Sequence, residues 1–284
     1  MLEQIDLDQS LSKSEYKRLM PELESRLFDL EHRMFEAKVP SMIVFEGWAA
    51  AGKGSTISVM ARRLDPRGFH VVPVTPPRTY ELAYPWLWRF WQTIPAYGQM
   101  VVYDTSWYRR VLVDRLKKRI SKHEWQSAYQ DISEFEQQLA ANGTVIIKFW
   151  LHISKKEQSK RLKALLKEEL TAWQVSDEDA AEHKEYDKVL LAVEEMLART
   201  DAAYAPWIIV EATDRQFTRI KVMQTIIRAF EARLAAGKPS LPPPTAPAIA
   251  RDHNSGDQVS PPTSGGVVAT ATKSTVKSKE KRHA

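Results

Sequence analysis

The sequence contains no cysteine. Disulfides and thiolate metal sites are therefore excluded, and the composition suits a reducing compartment, so a cytoplasmic location is expected. No apolar run approaches the ~18 residues that cross a bilayer, and no membrane partner is expected. The opening residues, MLEQIDLDQSLSK, lack the basic start and apolar core of a secretory signal. No internal repeat is visible. Net charge is also scarce where folding takes place. The formal total is +5, but residues 238–284 hold seven Lys/Arg against three Asp/Glu, so residues 1–237 are nearly neutral. Without a basic face or a recognition motif, no specific nucleic-acid partner is expected.

What is present divides in two. Residues 1–237 carry the apolar segments, enough for a sizeable core. Residues 238–284 hold seven of the sixteen prolines, with Ser, Thr, Gly and a closing Lys-Ser-Lys-Glu-Lys-Arg. Such a stretch buries too little apolar surface to fold alone and is expected to be a disordered basic tail.

The body is organised around MIVFEGWAAAGKGSTI, residues 42–57. An apolar strand ends at Gly47, a small-residue loop leads to Gly52 and Lys53, and a helical pattern follows through Ile57, Met60 and Leu64. Strand, glycine-bounded loop, lysine and helix make a phosphate-binding loop, with Gly47, Gly52, Lys53, Gly54 and Ser55 as its residues. Backbone N–H groups and the helix N-terminus attract the anion, and Lys53 adds a full positive charge. Gly54 stands where the G-x-x-x-x-G-K pattern usually continues with Ser or Thr, so Ser55, Thr56 or water is left to contact magnesium.

Along the chain, residues 1–20 read as a surface segment. A helix is expected from Pro21, a residue suited to a first turn, to about Lys38, with Leu23, Leu27, Leu30 and Met34 as its apolar stripe. Strands are expected at 41–46, 69–74, 99–103, 144–153 and 206–210. The aromatic segment 79–93 reads mainly as core, with rings beside Arg78 and Arg89 as an alternative surface for a base. The third strand delivers Asp104 at its carboxyl edge, where a P-loop enzyme holds magnesium. Helices are expected from Asp104 through Arg110 to Leu116, then over 122–141, 154–169, 176–199 and from Asp214 to about Leu234. The helix at 154–169 is basic, with Ser154 and Glu157 as its capping box, and is placed like the lid of a nucleotide kinase.

Six segments, EGWAAAGKG (46–54), LDPRGF (64–69), LWRFW (87–91), YDTSWYRRVLVDR (103–115), KFWLHISKKEQ (148–158) and APWIIVEATD (205–214), resemble the polyphosphate kinase 2 family. The resemblance is to the domain found duplicated in polyphosphate:AMP phosphotransferases. It implies a P-loop kinase-like α/β fold: three α/β/α layers, a five-stranded mostly parallel sheet and a helical lid. It implies phosphoryl transfer between inorganic polyphosphate and a nucleoside mono- or diphosphate, with Mg2+ as cofactor, and a homo-oligomer. Lys53, Asp104 and Arg110 would be catalytic, with magnesium on Asp104. Arg67, Arg109, Lys156, Lys160 and Arg161 would bind polyphosphate or nucleotide. Three positions depart from the family pattern. Ala49 replaces the aspartate of G-x-D-x-A-G-K, and Thr105 and Arg109 replace the first arginine and the glycine of D-R-S-W-Y-G-R. Loss of one well-placed charged group costs about 10²–10³ in rate, so slow turnover is expected. The alternative is an impaired member that binds polyphosphate or nucleotide, or regulates an active homologue.

Deleting residues 238–284 is expected to leave the melting temperature and the catalysis of the body unchanged. A large drop in melting temperature on truncation would show that the tail docks.

Overall fold

The computed structural model describes residues 2–237; the expected tail, 238–284, lies outside the described residues. Five strands, β1 (Ser41–Gly47), β2 (Phe69–Pro73), β3 (Met100–Asp104), β4 (Val145–His152) and β5 (Trp207–Glu211), form one sheet in the order β2-β3-β1-β4-β5. Every pairing is parallel, so the sheet is wholly and not mostly parallel. β1 and β4 are buried along almost their whole length, as expected of near-continuous apolar runs in the centre of a parallel sheet. β1 lies centrally, with β3 on one side and β4 on the other. Their carboxyl ends open the crevice where open α/β sheets bind ligands.

Ten helices accompany the strands among the described residues: α1 (Lys13–Glu36), α2 (Lys53–Ala61), α3 (Trp88–Trp91), α4 (Val113–Leu116), α5 (Lys122–Ala141), α6 (Lys155–Lys167), α7 (Glu169–Ala172), α8 (Asp177–Lys184), α9 (Tyr186–Thr200) and α10 (Arg215–Ala235). None is long and apolar enough to cross a membrane. α5 matches its expected bounds, because Ser121 and Glu124 form a reciprocal capping box that starts it.

Three expectations are corrected. α1 starts eight residues before Pro21, because Ser12 and Glu15 form a capping box and Met20 extends the buried stripe. Pro21 lies inside the helix at the loss of one backbone bond. The stripe packs on the fold itself, chiefly on α10. The helix expected through 104–116 is instead a 3-10 turn, Trp107–Arg110, followed by the short α4. The helix expected over 176–199 breaks at Glu185, whose backbone is non-helical. There Tyr186 turns inward, stacks on Trp48 at 4.0 Å and donates its hydroxyl to the Ile153 carbonyl at 2.9 Å.

One ion pair lies in the core. Lys148 of β4 and Glu136 of α5 are 0% and 1% exposed and 2.7 Å apart. The three donors of the ammonium go to Glu136, the Tyr108 hydroxyl (2.9 Å) and the Thr200 carbonyl (2.8 Å). Glu136 also accepts from Trp107 Nε1 (3.0 Å) and the Tyr108 hydroxyl (2.7 Å). The network thus anchors the 3-10 turn that carries Arg109 and Arg110. Lys148→Met leaves a buried carboxylate unpaired and is expected to lose about 3–5 kcal/mol. Urea denaturation checks this, and a loss under about 1 kcal/mol would contradict it.

Candidate active site

The phosphate loop is shaped by what lies behind it. Gly47 has φ +144, and a Cβ there would meet the Leu151 carbonyl oxygen at 2.6 Å, so only glycine lets β1 run this close to β4. Gly52 caps α2 in the left-handed conformation, at φ 103. Between them, Trp48 is fully buried, and its Nε1 donates to His152 Nδ1 at 2.9 Å. Burial depresses the imidazole to about 4, which keeps it the neutral acceptor this bond requires.

Lys53 Nζ donates to the carbonyls of Gly47 (2.9 Å) and Trp48 (3.2 Å), so the ammonium is folded back onto the start of the loop. Asp104 ends β3 level with Phe45 of β1. One of its carboxylate oxygens lies 3.8 Å from where a Cβ on Gly54 would stand. The helix start and the carboxylate therefore lie within contact distance of each other. Ser55 donates its hydroxyl to the Gly52 carbonyl at 3.0 Å and lies at the exposed rim. Thr105 follows Asp104 with φ 60, unusual for a β-branched residue, and is pinned by its hydroxyl to the Val74 carbonyl at 3.1 Å.

Arg109 and Arg110 leave the 3-10 turn on different courses. Arg109 makes two bonds to Glu178 of α8, at 2.9 and 3.1 Å. Arg110 reaches Glu124 at 3.2 Å and lies over the Trp86 ring. The Nε of each is buried without a partner. Both arginines line a cavity of about 270 Å³ together with Tyr84, Trp86, Arg89 and Phe90. The aromatic segment is accordingly split between core, such as Phe90, and exposed rings such as Tyr80 and Tyr84. A second cavity, about 170 Å³, lies between the loop and α8, lined by Glu46, Lys53, Arg109, Trp150, Glu178 and Glu182.

Lys156 and Lys160 line an open basic groove on α6 with Lys155, Lys163 and His183. Ser154 caps this helix as expected, but Glu157 turns to Arg161 and Lys160. Two residues expected in the polyanion walls are placed elsewhere. Arg161 is 7% exposed, and its fork donates to the carbonyls of Ala50, Ala51, Ala212 and Thr213 at 2.8–3.2 Å. It braces the loop from behind. Arg67 precedes β2, at the amino edge of the sheet, opposite the strand ends that carry the loop and Asp104. It pairs there with Asp65, whose carboxyl this hydrogen bond holds down to about 2.

Sequence reasoning passed over Glu46, Glu178 and Glu182. Glu46 had one visible signal, a carboxylate inside an apolar strand just before Gly47. It is 4% exposed and accepts from Ser106 Oγ at 2.7 Å. Burial raises its carboxyl to about 7, against the pull of the Ser106 hydrogen bond and the Lys53 charge. Glu178 and Glu182 look like a solvated helix face in the sequence, and nothing local marks them.

A phosphate loop at the end of the first strand, its lysine and a facing strand-end aspartate define a P-loop protein of the α/β/α class. A model of the polyphosphate kinase 2 family matches residues 10–238, and the chain belongs to that family. The polyphosphate:AMP phosphotransferase of Pseudomonas aeruginosa is 40% identical over 232 residues, which are 82% of this chain and 47% of that protein. The AMP/ADP-polyphosphate phosphotransferase of Meiothermus ruber is 33% identical over 210 residues, 74% of this chain and 79% of that one. A crystal structure of a polyphosphate kinase 2 from Arthrobacter aurescens superposes with a TM-score of 0.77 at 30% identity, covering 82% of this chain and 86% of the other. The chain spans about half the length of the polyphosphate:AMP phosphotransferases it matches.

Because the Glu46 pKa is raised on folding, its proton stabilises the fold below about pH 4.5, and that contribution is lost as the pH rises through about 7. Glu46→Gln keeps an acceptor for Ser106 without titrating. Wild-type stability relative to this variant is expected to fall by on the order of 3 kcal/mol between pH 4.5 and 7. Chemical denaturation across that range measures it, and parallel pH profiles would refute the burial of an ionisable Glu46.

Proposed function

We propose that the chain is a polyphosphate-dependent nucleotide phosphotransferase that moves a phosphoryl group between inorganic polyphosphate and a nucleoside mono- or diphosphate. The observation that carries this reading is the approach of Asp104 to Gly54, the residue after Lys53, in a fold that also presents an open lysine groove and an arginine–aromatic cavity. Relatives whose names join polyphosphate to AMP or ADP support it.

In this reading, polyphosphate follows the groove of Lys156 and Lys160 toward the loop N–H groups and Lys53. The nucleotide enters the other cavity, its phosphates toward Arg109 and Arg110 and its base against Trp86 and Tyr84. Phosphoryl transfer needs alignment and neutralisation of oxygens more than a covalent catalyst, and these groups supply both. Guanidinium forks suit phosphate, and an arginine Nε without a protein partner is a donor available to it.

The donor set fits magnesium carried on phosphate. The described residues hold no cluster of three His, Cys, Asp or Glu able to cage a metal, whereas Asp104 offers one carboxylate at the helix start. Asp104 would hold the ion directly or through water, with Ser55 at the rim. When bound, magnesium neutralises charge on the phosphate oxygens. A cytoplasmic, homo-oligomeric protein completes the proposal.

The test is a phosphorylation assay with polyphosphate, Mg2+ and AMP, ADP, GMP or GDP in turn. At least one is expected to be phosphorylated, and Lys53→Ala is expected to lower kcat by about 10² or more. Unchanged turnover in that variant, or no product with any nucleotide, would refute the proposal.

A further inference from the structure

Helix α8 turns two carboxylates, Glu178 and Glu182, onto the phosphate site. They are four residues apart, one turn or about 6 Å along one helix face. Glu178 takes both bonds from Arg109 and also pairs with Lys117 (3.1 Å) and Arg119 (2.8 Å). Burial alone would raise its carboxyl, but hydrogen bonds from Arg109, Arg119 and Lys117 hold it down to about 2. Glu182 accepts the Ala49 N–H at 2.8 Å, inside the phosphate loop. Gln158 braces it at 2.8 Å, and the Gln158 oxygen in turn meets His183 Nδ1 at 2.8 Å. Each carboxylate thus sits on a group suited to a phosphate oxygen, an arginine fork or a loop N–H, because both kinds of oxyanion seek the same donors. Arg109, the anchor for Glu178, is itself one of the departures from the family pattern.

Breaks in the helical backbone bound the α7–α8 segment on both sides. Glu185 is non-helical between α8 and α9, and Glu168 is extended before α7. Leu170 and Trp173, beside that second break, are 87% and 79% exposed.

We propose that α8 is an acidic clamp: Glu178 and Glu182 hold phosphate-oxygen positions themselves, and a phosphate chain binds only when α8 swings away. The inference rests on the polyanion reading of the site. It makes binding a competition, in which the apparent affinity for a phosphate chain is reduced by the fraction of molecules with α8 released.

Calorimetric titration of the full chain with pyrophosphate and tripolyphosphate tests it. The double variant Glu178→Gln/Glu182→Ala is expected to bind both at least tenfold more tightly than wild type, and by the same factor. Asp177→Asn removes one charge from the exposed side of the same helix without touching a phosphate-binding group, and its affinity is expected to change less than twofold. In wild type, tripolyphosphate is expected to speed amide hydrogen exchange over residues 177–184, a readout that needs no variant to fold. Equal or weaker binding by the double variant, an equal gain in Asp177→Asn, or slower exchange of α8 with tripolyphosphate would each overturn the clamp alone. Failure of every form to bind either chain would overturn the polyanion reading together with it.

Discussion

The guanidinium of Arg161 is the junction on which the phosphate site depends. Four backbone carbonyls, two from the phosphate loop and two from the segment after β5, converge on its fork. Buried carbonyls need partners, and this single side chain satisfies those of Ala51 and Ala212 while also holding Ala50 and Thr213. The N–H and C=O of a peptide unit point in opposite directions. Drawing the Ala51 carbonyl backward therefore turns the Gly52 N–H away from Arg161, while the Ala51 N–H closes the loop on the Trp48 carbonyl at 3.1 Å. Glu157 holds Arg161 in place from one turn earlier on α6. A residue that looked like part of a basic wall thus shapes the loop without touching a ligand.

A second buried charge sets the other half of the site. Lys148 and Glu136 lie in the core with their hydrogen-bonding capacity met by Tyr108, Trp107 and Thr200. Through Trp107 and Tyr108 they fix the 3-10 turn after β3, and so the directions in which Arg109 and Arg110 leave it. The site is held between these two devices, one behind each wall. Its own charges are left in tension. Glu46 is buried beside Lys53 and resists ionisation, while Glu178 is ionised by three surrounding cations. Such opposed environments are typical of functional sites.

Most of the scaffold could be read from local pattern. Strand β1, the glycine-bounded loop and α5 are each specified within a few residues, by an apolar run, by glycines at required backbone geometries and by the Ser121–Glu124 capping box. The misreadings share a cause. Pro21 suits a helix start, but Ser12 and Glu15 provide a stronger one, and the proline lies on the exposed side of α1. The break at Glu185 comes from Tyr186 stacking on Trp48, a partner more than a hundred positions away in the chain. Arg67 carries the right charge, yet β2 begins beside it, which puts it at the wrong end of the sheet.

The sequence by itself determined the family, the parallel α/β plan and the residues of the phosphate loop, because a strand, a tight turn and a helix N-terminus depend on neighbours in the chain. Only the tertiary structure decided what each charged side chain does. Arg161 meets the loop across 111 positions and Glu182 across 133. At such separations residue type tells only what a group can bond. The fold decides which partner it finds, and whether water is left to compete.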